Sequence, residues 1–415
     1  MVSLRGHAVS FASGQRAAPT GACLDRSAFD VRHESSAVSE RDSEFDHTHG
    51  RRKDRANYDR SPVPDNASMA DLPPGTDGRA LARRFYSRVV GPLLLARWPR
   101  LPHAAGRLGS GSDVLGLDDE VSRDHDWGPR LTLFVDGDMV ERVEKLLLDD
   151  LPPTFEGLPT RFAFTGQSQA VLAVNVGTAS CFTRSRIGVD PRDGMEPFDW
   201  LTVTGQAVLE IVAGPVFHDT AGEITDIRKR LEWYPDDVWR YVIASDWARL
   251  AEEMPLMSRA GDRGDDLGSR VIAARLVGIA MHLGFMLERQ WPPYSKWRGL
   301  MFAQLPTMDA VLMAFTATLQ AATWRERQAS LAIALDELLN VQNARGLPTR
   351  PAATVPFWDR PYLHPDDQII DDLLSTVTNP SLRELHRVRG SIEQQTDNVV
   401  LLIDPTARRA ATVFR

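Results

Sequence analysis

Residues 109–116, Gly-Ser-Gly-Ser-Asp-Val-Leu-Gly, are followed at 122–127 by Ser-Arg-Asp-His-Asp-Trp, and these two segments decide the fold of the chain. Glycines permit positive φ and leave backbone N–H groups able to point at phosphate oxygens. On a strand, side chains two residues apart lie on one face, so Asp124 and Asp126 are expected to project together. Mg²⁺ is usually held by one or two carboxylates plus substrate phosphates. The spacing therefore predicts a divalent-metal nucleotide site.

The same stretch has a plainer interpretation as a solvated acidic loop. Asp, Ser and Gly dominate ordinary turns, and an isolated pair of aspartates is not specific for a metal. The apolar run at 131–135, directly after the aspartates, favours the nucleotide site because it predicts a buried strand next to the turn.

Composition limits the class of protein. The chain has 415 residues with 43% hydrophobic and 25% charged residues, which is typical of a soluble globular protein with at least two folded units. A net charge of −8 argues against broad nucleic-acid binding. The absence of a long apolar run or leader predicts no membrane partner, and Cys23 and Cys181 are too few for a disulfide framework or zinc cluster. We expect a cytoplasmic protein.

The pattern along the chain predicts three parts: a disordered extension over 1–72, an α/β domain over 73–195 and an all-helical domain over 196–415. In the α/β part, hydrophobic spacing predicts helices at 79–97 and 138–149 and strands at 131–135 and 171–176. In the helical part it predicts helices at 200–212, 224–233, 235–254, 267–291, 307–322, 324–344, 366–377 and 380–395. The helix at 267–291 is expected to be the longest, with Asp265 or Asp266 as its N-cap.

These features together resemble the Pol β-type nucleotidyltransferase superfamily, and more narrowly a bacterial domain-of-unknown-function family within it that is related to aminoglycoside nucleotidyltransferases. The resemblance covers roughly residues 75–400 and is carried by LGSGSDVLG (108–116), SRDHDWGPRL (122–131), GPVFHD (214–219), LEWYPDDVW (231–239) and YSKW (294–297). It implies an α+β fold, with a small Pol β-like nucleotidyltransferase domain before the larger helical domain.

The resemblance also implies site residues. The phosphates of the nucleotide are expected at Gly109, Ser110, Gly111 and Ser112. Asp124 and Asp126 match the metal-binding pair of the superfamily and are expected to be catalytic. The superfamily normally adds a third carboxylate from a later strand, but the strand at 171–176 offers Asn175, which is a poor base. The third acid is then either Asp199 or Glu210, or the site is weakened.

Other conspicuous residues have two interpretations each. Lys296 is expected to be catalytic by neutralising the leaving group, although most lysines are solvated. Arg130 either balances phosphate charge or forms a surface salt bridge, and His125 is expected to pack rather than to bind metal. His218 and Asp219 are expected to form a capping turn between two helices rather than to contact substrate.

The sequence therefore predicts a Mg²⁺-dependent nucleotidyltransferase. The enzyme would move a nucleoside monophosphate from a nucleoside triphosphate, most simply ATP, to a hydroxyl of an unidentified small molecule or protein. The alternative is a catalytically degenerate nucleotide-binding or regulatory module of the same fold, which Asn175 favours.

Overall fold

The computed structural model describes residues 77–119, 126–164, 168–387 and 389–412. The predicted disordered extension over 1–72 lies outside the described residues, as do Asp124 and His125. Up to residue 187 the elements are α1 Gly78–Phe85, a π-helical turn Tyr86–Val90, α2 Gly91–Arg97, β1 Ala104–Gly106, α3 Ser112–Leu115, β2 Leu131–Phe134, a 3₁₀ turn Gly137–Met139, α4 Val140–Asp150, β3 Thr154–Phe155, β4 Leu158–Pro159, β5 Arg161–Phe162, β6 Val171–Leu172, β7 Val174–Gly177 and α5 Ala179–Ile187.

The remainder is mostly helical. Its elements are a 3₁₀ turn Pro191–Asp193, α6 Pro197–Thr202, α7 Gly205–Val212, β8 Val216–Asp219, α8 Glu223–Arg230, α9 Asp236–Asp262, α10 Asp266–Leu287, α11 Ser295–Phe302, α12 Asp309–Gln320, α13 Trp324–Ala344, β9 Thr354–Pro356, β10 Leu363–Pro365, α14 Asp367–Ser375, α15 Pro380–Arg383, α16 Ile392–Gln395, α17 Val399–Ile403 and α18 Pro405–Ala411. The fold is thus mixed α+β, with a small sheet region and a large helical portion.

A four-stranded sheet in the order β7-β2-β1-β8 carries the α/β part. Strands β2 and β7 are parallel and place Thr132 opposite Asn175, whereas β1 runs antiparallel to both β2 and β8. All four residues of β2 are buried because both faces of the sheet are covered. This double burial explains why 131–135 reads as a continuous apolar run rather than an alternating one.

Two hydrophobic cores cover the two faces of the sheet. Leu131 and Leu133 of β2 pack with the first helices and α4, through side chains such as Leu81, Phe85 and Val143. The opposite face, which includes Phe134, joins the large core of the helical portion. The sheet is therefore a central layer between the first helices and the rest of the chain.

The helical portion is organised around α9 and α10, which lie against each other. The prediction that 267–291 is the longest helix is wrong, since α9 has 27 residues and α10 has 22. The prediction that the helix starting at 235 ends near 254 is also wrong, because Pro255 lies inside α9. Burial of Met254 and Met257 offsets the loss of the hydrogen bond that proline removes. Asp265 is confirmed as the N-cap of α10, because its side chain accepts from the N–H of Gly268.

Strands β1 and β8 are the parts of the sheet that the sequence did not predict. The segment 214–219 was expected to be a turn between two helices, but Val216–Asp219 pairs with β1 and completes the sheet. The boundary near 195 stays a prediction, although this strand brings residues from beyond it into the sheet. The capping interpretation holds for Asp219, whose Oδ2 accepts from the N–H of Thr225 at 2.9 Å in the first turn of α8.

Among the described residues, one helix, Asp266–Leu287, is long and apolar enough to cross a membrane. Within its most apolar window, 61% of the residues are buried inside the protein, as in the core helix of a globular domain.

Candidate functional site

The glycine-rich turn is built around the buried guanidinium of Arg107. Its Nε and Nη2 donate to the two carboxylate oxygens of Asp113 at 2.6 and 2.8 Å. Nη1 donates to the carbonyl of Leu108 and Nη2 to that of Ser110, each at 2.8 Å. One side chain thus ties both ends of the turn to the start of α3.

Gly111 has a conformation and a position that only glycine can supply. Its φ is +137°, which side chains of L-residues rarely allow. A Cβ placed there would collide with Oδ1 of Asp113 and Nη2 of Arg107. The close approach of backbone to the buried ion pair is therefore the physical reason for glycine here.

Gly109 has φ of +92°, and its N–H donates to the carbonyl of Glu210 at 2.7 Å. This hydrogen bond fastens the turn to α7 and occupies the N–H. Ser112 begins α3. The turn residues expected to hold phosphate thus include one, Gly109, whose amide already has a protein acceptor.

A pocket of about 310 Å³ opens beside the turn and is lined by Gly109 and Ser110. Its wall includes the paired strands β2 and β7, with Thr132 and Asn175 among the lining residues. The described lining carries four arginines and one glutamate: Arg107, Arg130, Arg161, Arg186 and Glu144. A pocket with this lining suits an anion.

Arg130 lies in the pocket rather than in a surface salt bridge. Its Nη1 donates to the backbone carbonyl of Asp126 at 3.0 Å, and the guanidinium stacks 5.0 Å from the ring centroid of Phe164. Burial and the nearby charge of Arg107 lower the pKa of Arg130 to about 9, against the opposing effect of Asp113. An anionic ligand beside Arg130 would reverse this electrostatic penalty.

Arg186 lines the pocket and lies against Glu210 of α7, which is not among the lining residues. The Nε of Arg186 lies 3.4 Å from Oε2 of Glu210, and its guanidinium stacks 4.4 Å from the ring centroid of Phe182. Glu210 is one of the two acids considered as the third carboxylate, and it lies next to the glycine turn. The other, Asp199, caps α6 and pairs with Arg409 at 2.5 Å, so it is engaged elsewhere.

Asp126 is described and lies at a bend with φ of +52°, five residues before β2 begins. The expectation that Asp126 lies on a strand is therefore wrong. Aspartate tolerates the left-handed region better than most residues, because its short side chain can bond locally. The relative placement of Asp124 and Asp126 lies outside the described residues and stays a prediction.

The described residues do not form a magnesium site on their own. Within 77–119, 126–164, 168–387 and 389–412, no group of three or more His, Cys, Asp or Glu side chains is arranged to hold a metal. Asp113 is committed to Arg107, and Asn175 would offer only an amide oxygen. Of the predicted metal-binding pair, Asp126 is the member that lies among the described residues.

Lys296 lies on α11, where its exposed ammonium is 4.7 Å from the ring centroid of Trp297. It is not part of the pocket lining, but its segment is linked to the pocket through α7. The N–H of Tyr294 donates to Gln206 at 3.2 Å, and the amide of Gln206 donates to Glu210 at 3.3 Å. The catalytic role of Lys296 stays a prediction.

Sequence reasoning missed Arg107 and Arg186, the two buried arginines of the pocket. Arginine is usually exposed, so a single arginine in a sequence carries little information. The one available signal was the spacing of Arg107 and Asp113 on either side of the glycine turn, which allows an ion pair across it.

Comparison with known proteins gives two findings. Residues 200–298 match the family model described as a domain of unknown function, DUF4037. Solved structures with partial likeness include a nucleotidyltransferase-like protein from Exiguobacterium sibiricum, at 12% identity over 63% of this chain and 75% of that chain, with a TM-score of 0.30. No curated protein matches the sequence. Residues 200–298 are therefore similar to DUF4037, and the likeness of the chain to the Exiguobacterium protein is loose.

Proposed function

We propose that the chain is a nucleotidyltransferase whose nucleotide site is the arginine-lined pocket beside the glycine turn. The observation that carries the proposal is the convergence, in one pocket, of Ser110 with Arg107, Arg130 and Arg186. The substrate would be a nucleoside triphosphate, most simply ATP. The acceptor would be a hydroxyl of a small molecule or protein.

The charges of the pocket are not equally available to a triphosphate. Arg107 is neutralised by Asp113 in a bidentate pair, and Arg186 lies beside Glu210. Arg130 is the cation whose pKa burial and Arg107 depress, so it gains most from an incoming phosphate. We therefore assign Arg130 the main contact with the phosphates.

The reaction would be an in-line displacement at the α-phosphorus. The acceptor hydroxyl gives its proton to the proposed third acid, Glu210, and its oxygen forms a bond to the α-phosphorus. The bond from the α-phosphorus to the oxygen that bridges to the β-phosphate breaks, and pyrophosphate leaves with its charge stabilised by the arginines. Such transfers depend on positioning and charge neutralisation more than on covalent chemistry. Lys296 remains a proposed further cation for the leaving group.

Asp124 and Asp126 are the proposed holders of Mg²⁺, which would supply further charge neutralisation at the phosphates. Asn175 lines the pocket where a third carboxylate is expected, and it provides neither charge nor basicity. Glu210, next to the turn, is the proposed replacement.

A second candidate function is a nucleotide-binding module without turnover, and the position of Asn175 in the pocket favours it. Both candidates require nucleotide binding at Arg130, and they differ in whether pyrophosphate is released.

The test uses the full chain with Mg²⁺ and each labelled nucleoside triphosphate, with and without cell extract. We expect the preferred nucleotide to bind both with and without extract. Pyrophosphate and a labelled product should be released when the extract supplies the acceptor. Nucleotide binding without pyrophosphate release under all conditions would rule out the enzyme and favour the binding module. Absence of binding would overturn both.

Arg130→Gln tests the location of the site. Removing a charged hydrogen-bond partner costs about 1.5–3 kcal/mol, so affinity for the nucleotide should fall roughly tenfold or more. Arg142→Gln is the matched control, because Arg142 is exposed on α4 and is not in the pocket lining. Equal affinities of the two variants would place the nucleotide elsewhere.

A further inference from the structure

A second group of polar side chains is buried in the helical portion, away from the pocket lining. This interior cluster consists of Tyr234, Asp246, His282, Arg298 and Glu393. Tyr234, Asp246 and His282 are 3%, 0% and 4% exposed. Arg298 and Glu393 are half-buried, which places one side of the cluster close to the surface.

The centre of the cluster is a hydrogen bond between the two long helices. Nδ1 of His282 on α10 lies 2.6 Å from Oδ2 of Asp246 on α9. A carboxylate only accepts, so Nδ1 carries a proton in this hydrogen bond. The pair therefore fixes the ring and leaves Nε2 to bond whatever lies beyond it.

Several atoms of the cluster have no hydrogen-bond partner among the described residues. They are Nε2 of His282, Oδ1 of Asp246, the hydroxyl of Tyr234, Nε of Arg298 and Nε1 of the neighbouring Trp233. Leaving a buried polar group unsatisfied is costly, and native proteins rarely leave several together. Such a concentration indicates that a polar molecule completes these hydrogen bonds.

Two contacts bring the segment of Glu393 to the cluster: Nε2 of the adjacent Gln394 donates to the carbonyl of Val242, one turn before Asp246, at 2.9 Å, and Gly205, which donates to Glu393, lies against Pro292, next to Trp291. Burial raises the pKa of Tyr234 well above its usual value, and the charges of Glu393 and Asp246 raise it further. Burial also raises the pKa of Glu393, against the opposing charges of His282 and Arg298. The cluster therefore contains both signs of charge around one interior region.

Aromatic rings form one wall of this region. The ring of Trp291 lies 4.5 Å from that of Tyr234 and 4.7 Å from that of Trp233, and Trp200 lies 5.8 Å from Tyr234 on the other side. Trp233 is half-buried and so connects the wall to the surface. Flat apolar walls of this kind pack against the C–H faces of ring-shaped ligands.

Helix α7 joins the cluster to the nucleotide pocket. Oε2 of Glu393 accepts from the N–H of Gly205 at 2.9 Å, at the first residue of the helix. Glu210, which holds the glycine turn, lies five residues further along, or about 7.5 Å at 1.5 Å per residue. A small molecule bound at the cluster would thus lie within one molecular length of the pocket.

We propose that the interior cluster is a binding subsite for a neutral small molecule that carries several hydroxyl groups. Hydroxyls both donate and accept, so they can bond Oδ1 of Asp246 and Nε2 of His282 as well as the N–H donors of Trp233 and Arg298, none of which has a hydrogen-bond partner among the described residues. Carboxylates of the cluster oppose an anion, whereas Arg298 and Arg249, whose Nη1 lies 3.7 Å from Oδ1 of Asp246, oppose a cation. As the acceptor subsite, it rests on the proposed nucleotidyltransferase function, although binding itself does not require turnover.

The first experiment compares two tyrosines by thermal unfolding of the full chain. The hydroxyl of Tyr234 has no partner, so Tyr234→Phe should leave the melting temperature unchanged or raise it. The matched control is Tyr241→Phe, whose buried hydroxyl donates to the carbonyl of His386 at 3.1 Å, and its melting temperature should fall. A fall in Tyr234→Phe as large as in the control would show a structural hydroxyl and overturn the proposal.

The second experiment measures binding through tryptophan fluorescence, because Trp233 and Trp291 line the subsite. D-glucose, ribitol and myo-inositol are the neutral probes and choline is the cationic one, each titrated against the full chain. We expect saturable binding of at least one neutral probe, weakened about tenfold in Tyr234→Phe. Binding of no neutral probe, binding of choline alone, or equal affinity in the variant would overturn the proposal.

ATP binding is measured on the same samples, so that the two proposals fail separately. Arg130→Gln should lose ATP affinity and keep the affinity for the neutral probe. Probe binding without any ATP binding by the unmodified chain would end the nucleotidyltransferase proposal and leave the subsite standing.

Discussion

The buried pair between Arg107 and Asp113 allows a prediction with a built-in comparison. Its side chains are 2% and 6% exposed, and two hydrogen bonds of 2.6 and 2.8 Å join the guanidinium to the carboxylate. Arg84 and Glu156 form a pair with the same two-pronged geometry at 2.7 Å, but their side chains are 28% and 23% exposed. The two pairs differ in burial, and Glu156 also accepts from a second arginine, Arg88, at 3.2 Å.

Removing one partner of a buried pair costs about 3–5 kcal/mol, because the other charge stays buried and uncompensated. Arg107 keeps its hydrogen bonds to Leu108 and Ser110, which favours the lower end. We therefore expect Asp113→Asn to lower the free energy of unfolding by about 3 kcal/mol, a hundredfold or more in the folding equilibrium. Glu156→Gln should cost about 1 kcal/mol or less, because solvent screens the pair.

The assay is urea unfolding of the full chain and both variants, followed by tryptophan fluorescence, at several pH values. Burial alone would raise the pKa of Asp113, but the charges of Arg107 and Arg130 lower it below its usual 3.8. A carboxyl with a lowered folded-state pKa stabilises the fold above its unfolded pKa and loses that effect as the pH falls below it. The cost of Asp113→Asn should therefore be full at pH 7 and shrink below about pH 4.

Equal losses in Asp113→Asn and Glu156→Gln at pH 7 would refute the reasoning, since the buried pair should cost more even though Glu156 has two arginine partners. A loss in Asp113→Asn that does not diminish in acid would show that the effect comes from packing rather than from charge.

Three further predictions follow from the site and the cluster. Gly111→Ala should lower the free energy of unfolding by about 1–3 kcal/mol and abolish nucleotide binding, because φ of +137° and the collision with the Arg107 pair both oppose a Cβ. Gly177→Ala, where a Cβ meets nothing within 4 Å, is the control and should bind nucleotide normally. Isothermal titration of both variants checks this. Glu393→Gln should raise the free energy of unfolding at pH 8 and leave it unchanged at pH 4.5. Burial raises the pKa of this carboxyl, so its ionisation destabilises the fold as the pH rises. An equal gain at both pH values in urea unfolding would contradict this. Asn175→Asp should raise Mg²⁺-dependent pyrophosphate release at least about tenfold, and an unchanged rate in the same assay would mean that another acid, such as Glu210, already serves.

The elements that the sequence predicted well are those with long, regular hydrophobic spacing. The helix at 324–344 has the predicted bounds, since a capping box at Thr323 and Glu326 fixes its start. The run at 131–135 was recognisable as a strand because both of its faces are buried. The local hydrophobic pattern is sufficient to predict a helix or strand that packs against a continuous core.

Strand β8 escaped prediction for the opposite reason. Its four residues are half-buried, and His218 and Asp219 interrupt the apolar pattern. Its strand conformation depends on pairing with β1, more than a hundred residues earlier, which no local window contains. Tertiary pairing, rather than propensity, decides such a segment.

The site was predictable in part. The glycine turn was identified from its composition, and the structure places Gly109 and Ser110 in the pocket lining. The bend at Asp126 could not be expected, because two aspartates at this spacing are also compatible with a strand. The buried arginines come from separate elements, so their convergence exists only in three dimensions.

The contact of α18 with the pocket has a consequence for how the pocket forms. Arg408 of α18 donates to the carbonyl of Arg186, across 222 residues of sequence. During synthesis at about 5–20 residues per second, Arg186 waits roughly ten seconds or more before this partner leaves the ribosome. Until then the pocket wall that contains Arg186 lacks the hydrogen bond from Arg408. We expect a nascent chain stalled before α18 to expose this wall to chaperones, and the arginine-lined pocket to mature only after α18 has been made.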